Sequence, residues 1–274
     1  MKRKYTIIVS MIVLGLMSCS SFHVLDPEVD AISRRGAKKN SSLHIRASIG
    51  QASGLSLENS KIRKGEEFDN KAPEAPEIIL RDTPEVRKYL SLYTGRSRRD
   101  IEVPLKRRAE YLPTIEKVLN YFELPLDLSN LAFIESKFDV SARSPQGALG
   151  IWQFMKPTAQ ELGLRCNFWN DEREDVLRSS IAAAKYLREL QNRFDDWLLT
   201  LAAYNAGPGR VLAAIENAGG ERDFYKIARL NLLPEETVNH VSKFIAVSMI
   251  TRNPDLYDFH ELTNVWIGDF SSDE

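Results

Sequence analysis

From Asp82 onward the chain keeps a single period. Apolar side chains recur every three or four residues, and no stretch of strand length alternates apolar with polar between turn signals. A domain without strand patterning has to close its core by packing helix on helix. Local chemistry marks the helix boundaries as well. Thr83-Pro84-Glu85 supplies an N-cap, a first-turn proline and an acid; Val86, Tyr89, Leu90 and Tyr93 follow on one face, and Gly95 ends the helix. Leu105, Ala109, Leu112, Leu119 and Phe122 mark a second helix that runs up to Pro125. Leu177, Ile181, Ala184, Leu187, Leu190 and Phe194 step through a long third one. Asp196 caps a fourth, which passes Leu198 and Leu201 to Asn205 and stops at Gly207-Pro208-Gly209. A fifth runs from Val211 to Ala218 and closes on Gly219-Gly220. A sixth begins after Pro234, with Val238, Val241, Ile245 and Met249 on one face. No internal repeat is present. The expected class is all-α, one domain over residues 82–262 with a short tail at 263–274.

The residues before Asp82 are of another kind. Lys2, Arg3 and Lys4 precede an apolar run from Thr6 to Met17, and Leu16-Met17-Ser18-Cys19 follows. A positive start and a short apolar stretch read as an export signal, since spanning a bilayer takes about 20 residues; an uncleaved anchor is the alternative. Leu-x-Ser-Cys at the end of such a run resembles the lipobox of bacterial lipoproteins. The resemblance implies a signal peptide at 1–18, cleavage before Cys19, and acylation of Cys19 as the membrane anchor, at about 0.8 kcal/mol per buried methylene. Ser20 after the cysteine, rather than Asp, implies the periplasmic face of the outer membrane of a Gram-negative-type bacterium. Loss of Lys2, Arg3 and Lys4 takes the net charge from −1 to −4, which argues against a nucleic-acid partner. Residues 19–81 are rich in Ser, Lys, Arg, Glu and Gly and read as a flexible tether, or as a segment that folds on a partner. With only Cys19 and Cys166 in the chain a disulfide framework is excluded, and Cys166 reads as a small buried hydrophobe.

The candidate chemistry starts at Asp127-Leu-Ser-Asn-Leu-Ala-Phe-Ile-Glu-Ser-Lys-Phe138. On a helix, Leu128, Leu131, Glu135 and Phe138 share a face, so Glu135 sits where an apolar residue is expected. Burial disfavours the charged form of a carboxylate, which suits a general acid near neutral pH. A buried ion pair, or a helix that ends early and leaves Glu135 exposed, fits the spacing too. Ser144-Pro145-Gln146-Gly147 and Gly150 make a glycine-rich loop that leads into Ile151-Trp152-Gln153-Phe154. Aromatic rings beside an amide suit a sugar cleft; a core cluster with a capping Gln is the alternative. Ala203-Tyr204-Asn205-Ala206-Gly207 puts Tyr and Asn at a helix C-terminus, where Asn also serves as a cap.

Glu135-Ser136, then Gly147-Ala148-Leu149-Gly150-Ile151-Trp152-Gln153-Phe154, then Ala203-Tyr204-Asn205-Ala206-Gly207-Pro208-Gly209 resemble the ordered motifs of the soluble-lytic-transglycosylase catalytic domain. This is the goose-type-lysozyme-like group, glycoside hydrolase family 23. Asp171-Glu172-Arg173-Glu174-Asp175 resembles the membrane-bound type D subgroup. The likeness covers residues 105–255. It implies a lysozyme-like fold and cleavage of the MurNAc–GlcNAc β-1,4 bond of peptidoglycan with 1,6-anhydromuramic acid as product. It implies Glu135 as the single acid and base, and Ser136, Gln153, Phe154, Tyr204, Asn205 and His240 as substrate-binding residues. No cofactor or metal is implied.

The chain departs from the family pattern at two places. Ile151 and Trp152 replace the usual Leu-Met pair, and Trp152 is bulky enough to reshape a glycan groove. His240, in Glu236-Thr237-Val238-Asn239-His240-Val241, stands where the family carries Tyr, so its activity is expected to depend more on pH. A hydrolytic muramidase and a non-catalytic peptidoglycan-binding lipoprotein remain as alternatives. A Cys166–His240 hydrolase has no orienting residues in its favour, and the scattered histidines give no zinc spacing.

Overall fold

The structure, a computed structural model, describes residues 77–260. The signal segment 1–18, Cys19, most of the tether and the tail 263–274 lie outside the described residues. Among the described residues there are helices and no strand, as the period requires. Among the described residues, strand-like pairing is limited to isolated bridges of Arg143 with Leu149, Leu149 with Phe154, and Cys166 with Asp171.

Helix α1 spans Pro84–Thr94, and its cap is the expected one: Thr83 accepts from the Val86 N–H. Helix α2, Arg98–Tyr121, starts earlier than its apolar set and runs through Pro104 and Pro113. Each proline removes a ladder hydrogen bond, which costs about 3 kcal/mol in an isolated helix. Ile101, Leu105, Leu112, Ile115 and Leu119 offset that by burying one face. Leu126–Leu128 forms a 3-10 turn into the short α3, Ser129–Ser136. The even shorter α4, Lys156–Glu161, was not foreseen. Helix α5 spans Val176–Phe194 and α6 spans Trp197–Ala206. Asp175 and Asp196 cap them by accepting from the Arg178 and Leu199 N–H groups, at 2.9 and 2.7 Å. Gly207, at φ +87, turns the chain into α7, Pro208–Asn217. Then come α8, Phe224–Arg229, and α9, Glu235–Arg252, with a final 3-10 turn at Pro254–Tyr257.

Helix α9 departs from the expected one-faced pattern. Thr237, His240, Val241, Phe244, Ile245, Val247, Ile250 and Thr251 are buried around its whole circumference, and Val238 and Met249 are only partly covered. A helix buried on all sides belongs at the centre of a bundle, and α9 packs on α1, α3 and α6. Helix α5 lies between α2 and α6. The packed chain also begins earlier than expected. Ile78, read as tether, is fully buried, and its carbonyl accepts from the Arg252 guanidinium at 2.8 Å. No helix among the described residues is long and apolar enough to cross a membrane.

Candidate active site

Glu135 lies in the last turn of α3. The helix stops because Lys137 and Phe138 both take left-handed backbone conformations, at φ 55 and 57. Their N–H groups close the end on the carbonyls of Phe133 and Ala132, at 2.9 and 3.3 Å. That turn returns Phe138 to the core and leaves Glu135 at the lip of the helix. The helix does end early, yet Glu135 is not exposed: its side chain is 6% accessible.

Helix α9 holds α3 at both ends. Asn130 donates to the Ser248 and Thr251 hydroxyls, at 3.2 and 2.9 Å, and Arg252 grips both oxygens of Asp127 in the preceding turn. At the other end His240 Nε2 lies 2.9 Å from Glu135 Oε1, with the His240 side chain 7% accessible. His240 Nδ1 is buried and has no hydrogen-bond partner. A hydrogen on Nε2 therefore satisfies the pair best: it donates to Glu135 and leaves Nδ1 as a bare acceptor, since buried orphan N–H donors are rarer than buried orphan acceptors. Lys243, one turn further along α9, stands within electrostatic range of Glu135. Burial pushes its ammonium below the usual range, while Glu236 and Glu135 act in the opposite direction. The sequence reading did not single out Lys243; its helical spacing from His240 is the signal that points to it.

The glycine-rich loop is built onto this helix end. The Ser136 hydroxyl donates towards the carbonyls of Ile151, at 2.9 Å, and Ala132, at 3.1 Å. Gln153 takes φ 51, and its amide nitrogen donates to Ala142 and Gly150 carbonyls at 2.9 and 2.8 Å. Gly150, at φ +86, is irreplaceable, because a Cβ there would collide with the Arg173 carbonyl. Arg173 is buried and locked to both oxygens of Asp171, at 2.9 and 2.7 Å. Its remaining terminal nitrogen donates to the carbonyls of Gly147 and Phe154, each at 3.0 Å. These hydrogen bonds hold the Asp171 carboxyl below its usual range. Arg173 thus pins both ends of the loop. In the sequence Asp171–Asp175 stood out only by its resemblance to the type D subgroup, without this role, because charge order along a chain does not reveal burial.

The aromatic residues of the loop turn inward. Trp152 and Phe154 are each 1% exposed. Trp152 Nε1 donates to Ser180 at 3.0 Å, so its bulk fills the core and does not reshape a groove. The Phe154 ring packs on Tyr204 and presents no face to a sugar. Of the two readings of this segment, the core cluster is the one the structure bears. The Tyr204 hydroxyl donates to the Trp152 carbonyl at 2.8 Å; burial, and then the Glu135 charge, push its phenol well above the ordinary range. Asn205 accepts from Thr237 of α9 at 2.9 Å. Ser136, Gln153, Tyr204 and Asn205 all make hydrogen bonds within the protein, and these bonds hold α3, the loop, α6 and α9 together around the Glu135–His240 pair. Asp139 accepts from the N–H and hydroxyl of Ser141 in a local turn. Cys166 is buried, and burial pushes its thiol up.

The family model described as Transglycosylase SLT domain matches residues 117–227. That span holds every sequence-predicted site residue of the described chain except His240. Membrane-bound lytic murein transglycosylase D of Escherichia coli (strain K12) is 39% identical over 155 residues, covering 55% of this chain and 33% of that protein. A putative tributyltin chloride resistance protein of Alteromonas sp. (strain M-1) is 41% identical over 112 residues, 40% of this chain and 54% of its own length. Peptidoglycan transglycosylase gp16 of Escherichia phage T7 is 35% identical over 138 residues, 50% of this chain and 10% of that protein. The chain therefore spans about a third of the length of the first relative and about half that of the second.

Proposed function

We propose that this chain, which carries a transglycosylase domain of the SLT type, cleaves the MurNAc–GlcNAc β-1,4 bond of peptidoglycan without water and leaves 1,6-anhydromuramic acid ends. The observation that carries this reading is the 2.9 Å hydrogen bond between Glu135 and His240 at the end of α3. It orients one nearly buried carboxylate, and the nearby Asp139 is engaged in its own turn. A hydrolase of the two-carboxylate kind needs a second acid group across the scissile bond.

In the first step the Glu135 carboxyl gives its proton to the glycosidic oxygen, the C1–O bond breaks, and GlcNAc leaves with a C4 hydroxyl. The oxygen of the substrate's own 2-acetamido group closes on C1 and takes up the positive charge. In the second step the Glu135 carboxylate accepts the proton of the C6 hydroxyl, O6 attacks C1, and the acetamido group is released. Glu135 ends protonated as it began, and no water is consumed. His240 keeps Oε1 occupied, so Oε2 handles the proton in both steps. Holding the reacting groups in register is worth several kcal/mol of the barrier.

The chain reaches its substrate through the lipid on Cys19, at the periplasmic face of the outer membrane. Incorporation of labelled fatty acid by the wild-type chain, and its loss with Cys19→Ala, tests the anchor. Mass spectrometry of the products released from purified sacculi tests the chemistry. Anhydro-muropeptides support the reading. Reducing ends, heavier by one water, would replace it with a muramidase, and bound but uncut sacculi would replace it with a binding protein. Glu135→Gln is expected to lower release by about 10²–10⁴-fold with an unchanged circular dichroism spectrum.

A further inference from the structure

Phe168 and Trp169 are 90% and 91% exposed. Side chains of this size usually bury 150–250 Å² each, so two adjacent bare rings on an ordered surface call for a ligand. The turn that presents them is built. Asn167 Oδ1 accepts from the N–H groups of Trp169 and Asn170, each at 2.9 Å, and the Asn167 N–H donates to the Asn170 carbonyl at 3.0 Å. Cys166 pairs with Asp171 at its base. Beneath that, Glu172 is buried and accepts from the Arg165 N–H, the Arg165 guanidinium and Arg178. The rings stand edge to face, 5.1 Å apart at 90°, which points their faces in two directions.

We propose that this turn is a glycan-stacking subsite, where the rings of Phe168 and Trp169 take the C–H faces of pyranose units in the strand beyond the bond being cut. The proposal rests on the peptidoglycan reading of the Glu135 site and extends it. Two observations favour a sugar strand. The first is continuity: Asp171 at the foot of the turn holds Arg173, Arg173 holds the carbonyls of Gly147 and Phe154, and Ile151 in that loop accepts from Ser136 beside Glu135. The same hydrogen-bonded framework thus carries the loop beside Glu135 and the base of the turn. The second is charge. Residues 166–170 hold no Lys, Arg, Asp or Glu, and the arginines around them are engaged, Arg165 and Arg178 with Glu172 and Arg173 with Asp171, so the turn offers no cluster of free cations to an anionic bilayer. A turn whose backbone is already held by hydrogen bonds also loses little freedom on binding.

The test uses the full chain with Glu135→Gln, which binds without cutting, with and without Phe168→Ala and Trp169→Ala together. Co-sedimentation with purified sacculi is expected to weaken about tenfold, ~1.4 kcal/mol, and Trp169→Phe, which keeps a ring face, is expected to retain binding. In the chain with Glu135 intact, the double substitution raises KM on sacculi and leaves kcat in place. Unchanged sacculus binding overturns the proposal. So does binding that is lost only on phosphatidylethanolamine–phosphatidylglycerol vesicles, or a change confined to self-association. The two readings fail separately: if sacculi go uncut by the wild-type chain but the ring substitutions still weaken binding, the catalytic reading falls and the subsite stands.

Discussion

Two pairs of neighbouring aromatic residues flank the short α4. Trp152 and Phe154 precede it and are 1% exposed; Phe168 and Trp169 follow it and are about 90% exposed. Both pairs sit in irregular backbone beside amide side chains; Arg173 holds the first through the Phe154 carbonyl, and Asn167 holds the second. The difference lies in what the backbone meets. The earlier segment lies against α5 and α6, where Ser180 and Tyr204 bond to Trp152. The later one is propped outward by an Asn-capped turn. Rings of the same chemistry serve as core in one place and as contact surface in the other, so aromatic content beside a loop does not by itself mark a sugar cleft.

Substitutions in the two segments should separate these roles. The largest effect is expected at Gly150. Gly150→Ala drives a methyl into the Arg173 carbonyl and is expected to destabilise by on the order of 5 kcal/mol or prevent folding. Gly147→Ala, where a Cβ meets nothing within 4 Å, costs only the left-handed backbone strain, about 1 kcal/mol. Thermal melts of the two variants measure the contrast; equal melts would mean that the loop is not pressed on Arg173. Next comes Trp152→Ala, at about 3–5 kcal/mol, or roughly 10 °C in Tm. Trp169→Ala stays within about 0.5 kcal/mol, and a large drop there would show its ring to be core after all.

His240→Leu leaves the nearly buried Glu135 without its partner, so it is expected to destabilise by about 1–3 kcal/mol and to reduce anhydro-product release by up to about 10²-fold, through a misplaced Glu135. His240→Gln, which keeps a donor, recovers part of the rate. The smallest effect is in acid. Asp171 is held below its unfolded range by Arg173, so its stabilisation is full above the unfolded carboxylate range and fades as pH falls through the lowered folded value. Asp171→Asn is expected to flatten that part of the stability–pH curve, which denaturant titrations between pH 2 and 5 would record.

How far the chain could be read in advance varied with how local the physics was. Helices α1 and α6 were legible because Thr83 and Asp196 act within one turn of themselves, and α5 because its apolar residues step by three or four; its Asp175 cap was not read. The start of α2 was hidden, since its prolines argue against helix until burial on α5 outweighs the lost bonds. Helix α9 was read as one-faced because polar residues such as Ser242, Ser248 and Thr251 masked a surface that is buried all round. At the site, Glu135 and His240 stood out in the sequence, but their mutual bond did not, because it crosses the bundle. Gln153, Tyr204 and Asn205 stood out as residues, but their bonds to Ala142, Trp152 and Thr237 did not, because those partners are set by how the chain packs. Phe168 and Trp169 drew no notice, since nothing in their order distinguishes them from Trp152 and Phe154.

The sequence alone determined the helical class, the caps of α1 and α6, the stops of α1, α6 and α7, and the presence of a carboxylate among apolar neighbours at Glu135, since all of these depend on residues within a turn or two of each other. The tertiary structure decided what surrounds that carboxylate, which polar groups became internal fastenings, and which aromatic pair faces solvent. Those outcomes depend on groups far apart in the chain, whose burial and hydrogen bonds exist only once the helices have packed.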